Sequence, residues 1–201
     1  MGSPSPPLLP LLRSQVQGDL LALLYLHPGA EYSLSEVARI IGASVKTVHT
    51  EASRLVSTGF IADRNLGNLR LVRAVTDSVV ARPLADLLAV TYGPLPVLTD
   101  LLGAENGVRE AFIYGSWAAR YSGETGPIPN DVDVLVIGTI DLDVLDRITR
   151  TAEERLRRPV SARRVRPEVW DSSDSPDPFI ASIRDRPLLR LRLRESELPA
   201  E

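Results

Sequence analysis

Two helix starts eleven residues apart, with a glycine between them, constrain this chain more than any other feature. Ser33 and Glu36 stand in the S-x-x-E spacing, in which each side chain satisfies a backbone amide left open at a helix start. Leu34, Val37, Ala38 and Ile41 then make one apolar stripe, and Gly42 suits the turn that follows. Ser44 is the next cap, and Val45, Val48, Ala52, Leu55 and Val56 form the apolar face of the next helix. Two short helices around a turn of three or four residues read as a helix-turn-helix. The outward positions of the second helix are Lys46, Thr47, His49, Thr50, Ser53 and Arg54. They are hydrogen-bonding or cationic and compact near the helix start, as a helix inserted in a major groove requires.

The flanking sequence extends the pattern. Val16, Leu20, Leu23 and Leu24 recur at helical spacing from residue 14, and "HPG" at 27–29 stops that helix. After the second helix, "GFIADRNLGNLRLVRA" gives two short strands around "NLGN", a hairpin whose tip carries Asn68 and is flanked by Arg64 and Arg70. Helix, helix-turn-helix and hairpin in this order resemble the winged-helix DNA-binding domains of ArsR-type bacterial regulators over residues 14–75. The resemblance implies double-stranded DNA as partner. Ser44, Lys46, Thr47, His49, Thr50, Arg54, Arg64, Asn68 and Arg70 would face it. It also implies a homodimer, because most helix-turn-helix proteins read paired half-sites, and phosphate contacts that make binding salt-dependent.

Charge agrees in sign. Residues 1–75 carry seven basic and five acidic side chains, whereas 76–201 carry sixteen and twenty-one. The first part is therefore net positive and the second net negative, as expected if only the first meets nucleic acid. Lys46 is the only lysine beside 22 arginines, a bias that points to a GC-rich bacterial genome. The chain has no cysteine, which excludes disulfides and thiolate metal sites and makes a reducing cytoplasm the default compartment. No apolar run approaches the roughly 20 residues that span a bilayer. The leucine- and proline-rich start, 1–13, reads as a tail without a basic leader, and 195–201 reads as a second tail.

Residues 76–106 read as a helical linker. Pro83 and Pro94 each stand near a helix start, where a missing amide costs little, and the second helix ends at Gly103. The boundary with the first domain is expected near 75–78.

Residues 107–194 form the remaining domain. "VREAFIY" reads as a strand, Gly115-Ser116 as a turn into a short helix, and "NDVDVLVIG" as a second strand that opens with Asp131 and Asp133. An amphipathic helix at 142–156, a third strand "VSARRVRP", and a closing helix and strand follow. Strand, Gly-Ser, helix, then Asp-x-Asp resembles the minimal nucleotidyltransferases of the DNA polymerase beta superfamily. The resemblance implies that Gly115 and Ser116 bind nucleotide. Asp131 and Asp133 would be the catalytic, metal-holding carboxylates, brought to the same Mg²⁺ ions by local twist at the strand start. A glycine lets backbone approach triphosphate oxygens, and the ions neutralise charge during in-line attack at phosphorus.

One departure limits the carry-over. Active members have a third carboxylate on the next strand, and "PVSARRVRP" contains none; Ser161 or Arg163 stands there instead. Glu124, on the long loop before Asp131, and Glu168, beyond Pro167, are poor substitutes. The expectation is thus an α+β chain: a winged helix-turn-helix, a helical linker, and a nucleotidyltransferase-like mixed sheet flanked by helices. Its expected function is transcriptional regulation, with a second domain that binds Mg²⁺ and a nucleoside triphosphate and has doubtful transfer activity. An active transferase acting on protein, RNA or a small molecule stays open, as does a toxin–antitoxin-type interaction protein.

Overall fold

The computed structural model describes residues 12–103, 105–172 and 178–193. The two expected tails lie outside these, apart from Leu12 and Arg13. The described chain is mixed α+β with two small sheets, and it divides into two compact units, Met1–Gly93 and Pro94–Glu201. The stretch expected as a linker is shared between them. Among the described residues no helix is long and apolar enough to cross a membrane.

The first unit contains α1 (Gln15–Tyr25), β1 (Tyr32–Ser33), α2 (Leu34–Ile41), α3 (Val45–Ser57), β2 (Ile61–Leu66), β3 (Leu69–Ala74) and α4 (Ala81–Tyr92). The Ser14 side chain caps α1 by accepting from the Gln17 amide. Every residue from Leu20 to Leu26 is buried, so α1 is a central helix and not one with a single apolar stripe. It packs against α2, α3 and α4. The Tyr25 hydroxyl donates to the Phe60 carbonyl at 2.7 Å, tying α1 to the entry of β2.

The capping box at α2 forms in full. The Ser33 amide donates to Glu36 Oε2 at 2.8 Å, and the Glu36 amide donates to Ser33 Oγ. Gly42 closes α2 at φ 68°, the left-handed conformation that favours glycine. On α3 the buried face is Val48, Glu51, Ala52 and Leu55. Val45, expected on that face, is half exposed, at 51%. It is the first residue of the helix, where no preceding turn packs over it. β1, too short to show a pattern in sequence, adds to β3, and the antiparallel sheet runs β1-β3-β2.

The second unit contains α5 (Pro94–Leu102), β4 (Val108–Tyr114), α6 (Gly115–Tyr121), β5 (Val132–Gly138), α7 (Leu142–Leu156), β6 (Val160–Val165), α8 (Pro167–Asp171), α9 (Pro178–Arg184) and β7 (Leu189–Arg190). Its sheet is mixed, in the order β6-β5-β4-β7. β4 is antiparallel to β5 and β7, and β5 is parallel to β6, with α7 as the crossover. β5 is buried throughout except at Asp133, as a central strand covered on both faces requires. Phe112, Leu135, Ile137 and Val165 form a core on one face with Ile180 and Ile183 of α9.

Candidate functional site

Asp131 and Asp133 differ by two positions, so the period of a strand already sets them on one face. The local twist expected from the sequence is not needed. Asp131 is exposed, just ahead of the first residue of β5, and Asp133 is half-buried. Asp133 stands opposite Tyr114 of β4 and Ser161 of β6. Burial pushes its carboxyl above the usual range, and the nearby charge of Asp131 raises it further. Among the described residues neither aspartate is in an ion pair, so the two carboxylates concentrate negative charge at the start of β5.

Gly115 meets that pair from the end of β4. Its φ is 69°, and a Cβ built there would lie 2.7 Å from Asp133 Oδ2. Any side chain would thus be both strained and in collision. Ser116 follows, exposed, in the first turn of α6. Tyr114, which caps α6, supplies no side-chain hydrogen bond to the helix start. Gly115 and Asp133 are in contact, and Ser116 and Asp131 are their immediate neighbours.

The place of a third carboxylate is occupied by Ser161, directly opposite Asp133. Arg163, one pleat further along, stacks on the Phe179 ring at 3.9 Å. Phe179 in turn meets Tyr114 edge-on at 5.6 Å. Burial and the Asp133 charge raise the Tyr114 hydroxyl, and Arg163 partly offsets them. Tyr114 and Phe179 were not legible as site residues: one ends an apolar strand, and the other arrives from 65 residues away. Glu168 lies exposed in the first turn of α8, and Glu124 is exposed on the loop. Among the described residues no group of three or more His, Cys, Asp or Glu is arranged to hold a metal ion.

The loop 122–130 is pinned at two points, its middle and its end. The Arg120 guanidinium donates to the Gly126 carbonyl at 2.7 Å. Arg158, only 9% exposed, donates to the Pro129 carbonyl and lies over the Trp117 ring at 5.2 Å. The approach to Asp131 is thereby fixed by a buried cation that reads the loop's backbone, a contact with no local sequence signal.

In the first unit, Ser44, Lys46, Thr47, His49, Thr50 and Arg54 are exposed on α3, and Arg64 and Asn68 on the hairpin. Several of them are engaged. Ser44 Oγ accepts from the Thr47 amide, and Thr50 Oγ1 donates to the Lys46 carbonyl. Arg54 pairs with Glu51, whose side chain is otherwise buried and whose Oε2 has no partner. Arg64 grips Glu31 through its Nε and Nη2. Arg70, half-buried, pairs with Asp63 at 2.6 Å and donates to Ser53 Oγ and toward His49 Nε2. It bridges the hairpin to α3. Lys46 and Asn68 are exposed, and among the described residues their side chains make no hydrogen bond or ion pair.

Comparison with protein-family models, with curated protein sequences and with solved structures returns no match.

Proposed function

We propose that the chain is a DNA-binding transcriptional regulator whose second unit has a nucleotidyltransferase-like fold, binds a nucleoside triphosphate with Mg²⁺, and has lost transfer chemistry. One observation carries this reading: Gly115 still abuts Asp133, while the β6 position opposite Asp133 holds Ser161 and not an acid. The binding half of such a site is kept and the activating half is absent.

The donor set suits the ion. Mg²⁺ keeps most of its waters and takes one or two carboxylates plus substrate phosphates, and this strand start offers two neighbouring carboxylates. When bound, Mg²⁺ would neutralise phosphate charge beside Asp131 and Asp133. Gly115 lets the backbone approach phosphate oxygens, and the Ser116 hydroxyl can donate to them. With Ser161 in place of a carboxylate, no acid on β6 can orient or deprotonate an attacking hydroxyl.

The order α1-β1-α2-α3-β2-β3 with an exposed polar α3 supports a winged helix that reads double-stranded DNA as a homodimer. Lys46 and Asn68 engage it directly, with the residues of α3 and the hairpin named above around them. Nucleotide would then modulate operator affinity, by a coupling of about 1–3 kcal/mol if it is typical.

Two measurements test the reading. Calorimetric titration with each Mg²⁺–ribonucleoside triphosphate should show binding that Asp131→Asn/Asp133→Asn abolishes. Operator affinity should change with nucleotide present; an unchanged affinity removes the regulatory coupling. Turnover of labelled nucleotide, lost in Asp131→Asn, would replace this reading with an active transferase. In the first unit, Lys46→Ala should weaken DNA binding across sequences and reduce the log-log salt slope by about 1.

A further inference from the structure

Arg70 was expected to meet DNA, yet its side chain is bonded on three sides within the first unit. Its Nε donates to Asp63 Oδ2 of β2 at 2.6 Å. Arg70 is registered with Asn65, which makes Asp63 its diagonal neighbour on the same face of the hairpin. Its Nη1 donates to Ser53 Oγ at 2.8 Å and meets His49 Nε2 at 3.3 Å, both on α3. His49 and Ser53 are four positions apart in sequence, hence one above the other on a single helix face. The bonds to Asp63 and Ser53 hold the guanidinium in place, so the His49 contact does not depend on its own strength.

That contact has one chemical sense. A guanidinium carries donors and no acceptor, so His49 Nε2 accepts. The imidazole is then neutral, and its one proton sits on Nδ1. His49 is exposed, and among the described residues its Nδ1 makes no hydrogen bond. The hairpin thus leaves α3 with an exposed ring N–H of fixed identity, within the polar run at the helix start.

We propose that Arg70 is a positioning residue that fixes His49 as a donor, and that His49 reads an acceptor on a base edge. This rests on the DNA-binding reading above. In the major groove guanine N7 and O6, adenine N7 and thymine O4 accept, whereas cytosine presents its N4 amine. A donor-only His49 therefore rejects cytosine at the base it faces. A histidine free to change tautomer would accept from that amine and discriminate little. The strut turns an ambiguous side chain into a selective one, and Arg70 itself does not contact phosphate.

The test has two arms, both on the full chain. Long-range proton–nitrogen NMR without DNA, at about pH 8 and so above the ordinary imidazole pKa, reads each tautomer. His27 is the internal reference, because its Nδ1 lies 2.8 Å from the Leu23 carbonyl, which can only accept. Both histidines should carry the proton on Nδ1, and His49→Ala assigns the signals. In Arg70→Met only His49 should revert to the Nε2–H form that unconstrained imidazole favours. Selection from random duplexes then measures sequence preference. The wild type should disfavour cytosine at one position by about fivefold, as one hydrogen bond allows. Arg70→Met should lose that discrimination and Lys46→Ala should keep it. His49→Ala, at an exposed position, should lose it too and decides the matter if Arg70→Met does not fold. An Nε2–H tautomer for wild-type His49, or one unchanged in Arg70→Met, overturns the proposal and leaves the DNA reading standing. So does an equal loss of affinity for all sequences in Arg70→Met, which would make Arg70 a phosphate contact. If no duplex is selected, the DNA reading falls and the base-edge role with it, whatever the tautomer.

Discussion

Gly115 shows how a single position ties sequence to site. With φ at 69° and Asp133 Oδ2 where a Cβ would go, Gly115→Ala should cost about 1–2 kcal/mol of stability from the left-handed backbone alone. It should also abolish Mg²⁺–nucleotide binding, because Asp133 must move. Chemical denaturation and calorimetry on the same sample separate the two effects. Asp19 makes a different case. Burial in the first unit pushes its carboxyl from the usual 3.8 up to about 6, and its charge helps burial push the half-buried Tyr92 up to about 12. The folded state holds the Asp19 proton more tightly than the unfolded chain does. Stability therefore falls as pH rises from about 4 to 6 and stays reduced above that. Asp19→Asn should stabilise the fold at pH 7.5 by on the order of 1 kcal/mol after screening by water, seen as a raised melting temperature, and leave stability nearly unchanged at pH 4. Equal effects at both pH values would mean that Asp19 contributes through packing and not through its charge.

At the level of elements, local rules were the legible ones. The caps at Ser33 and Ser44 and the stripe of Leu34, Val37 and Ala38 each need only a few neighbours in sequence, so α2 and α3 stand where the pattern sets them. Ser33→Ala should destabilise the first unit by about 0.5–2 kcal/mol, measurable by urea unfolding. What failed was long-range. Glu51 is buried on a face where an apolar residue would be expected, and Val45 is exposed, because burial on α3 is decided by which neighbours pack over it. The pairing of Glu31 with Arg64 joins residues 33 apart. It also holds in an ion pair an arginine that the sequence assigned to DNA. Arg158 belongs to the same class. Replacing it with methionine keeps the bulk and removes the bond to Pro129, and limited proteolysis within 122–130 should then accelerate while cleavage elsewhere stays slow.

For the whole molecule, the division at Gly93 has a direct consequence. A chain ending at Gly93 keeps α4, with Leu88 fully buried and Ala85 and Ala89 nearly so, and should melt cooperatively by circular dichroism. A chain ending at Val75 exposes the α1 surface that α4 covers and should not. A cooperative melt for the shorter chain would move the domain limit back to where the sequence suggested it. The site was legible to a similar depth: the Gly-Ser and Asp-x-Asp elements stood out, whereas their aromatic surroundings depend on α9 returning to the sheet. The parallel pair β5–β6 has a further property. Its strands are joined through the 15-residue helix α7, so their pairing closes a long loop before any ladder bond forms, and the second unit should refold more slowly than a sheet built from hairpins.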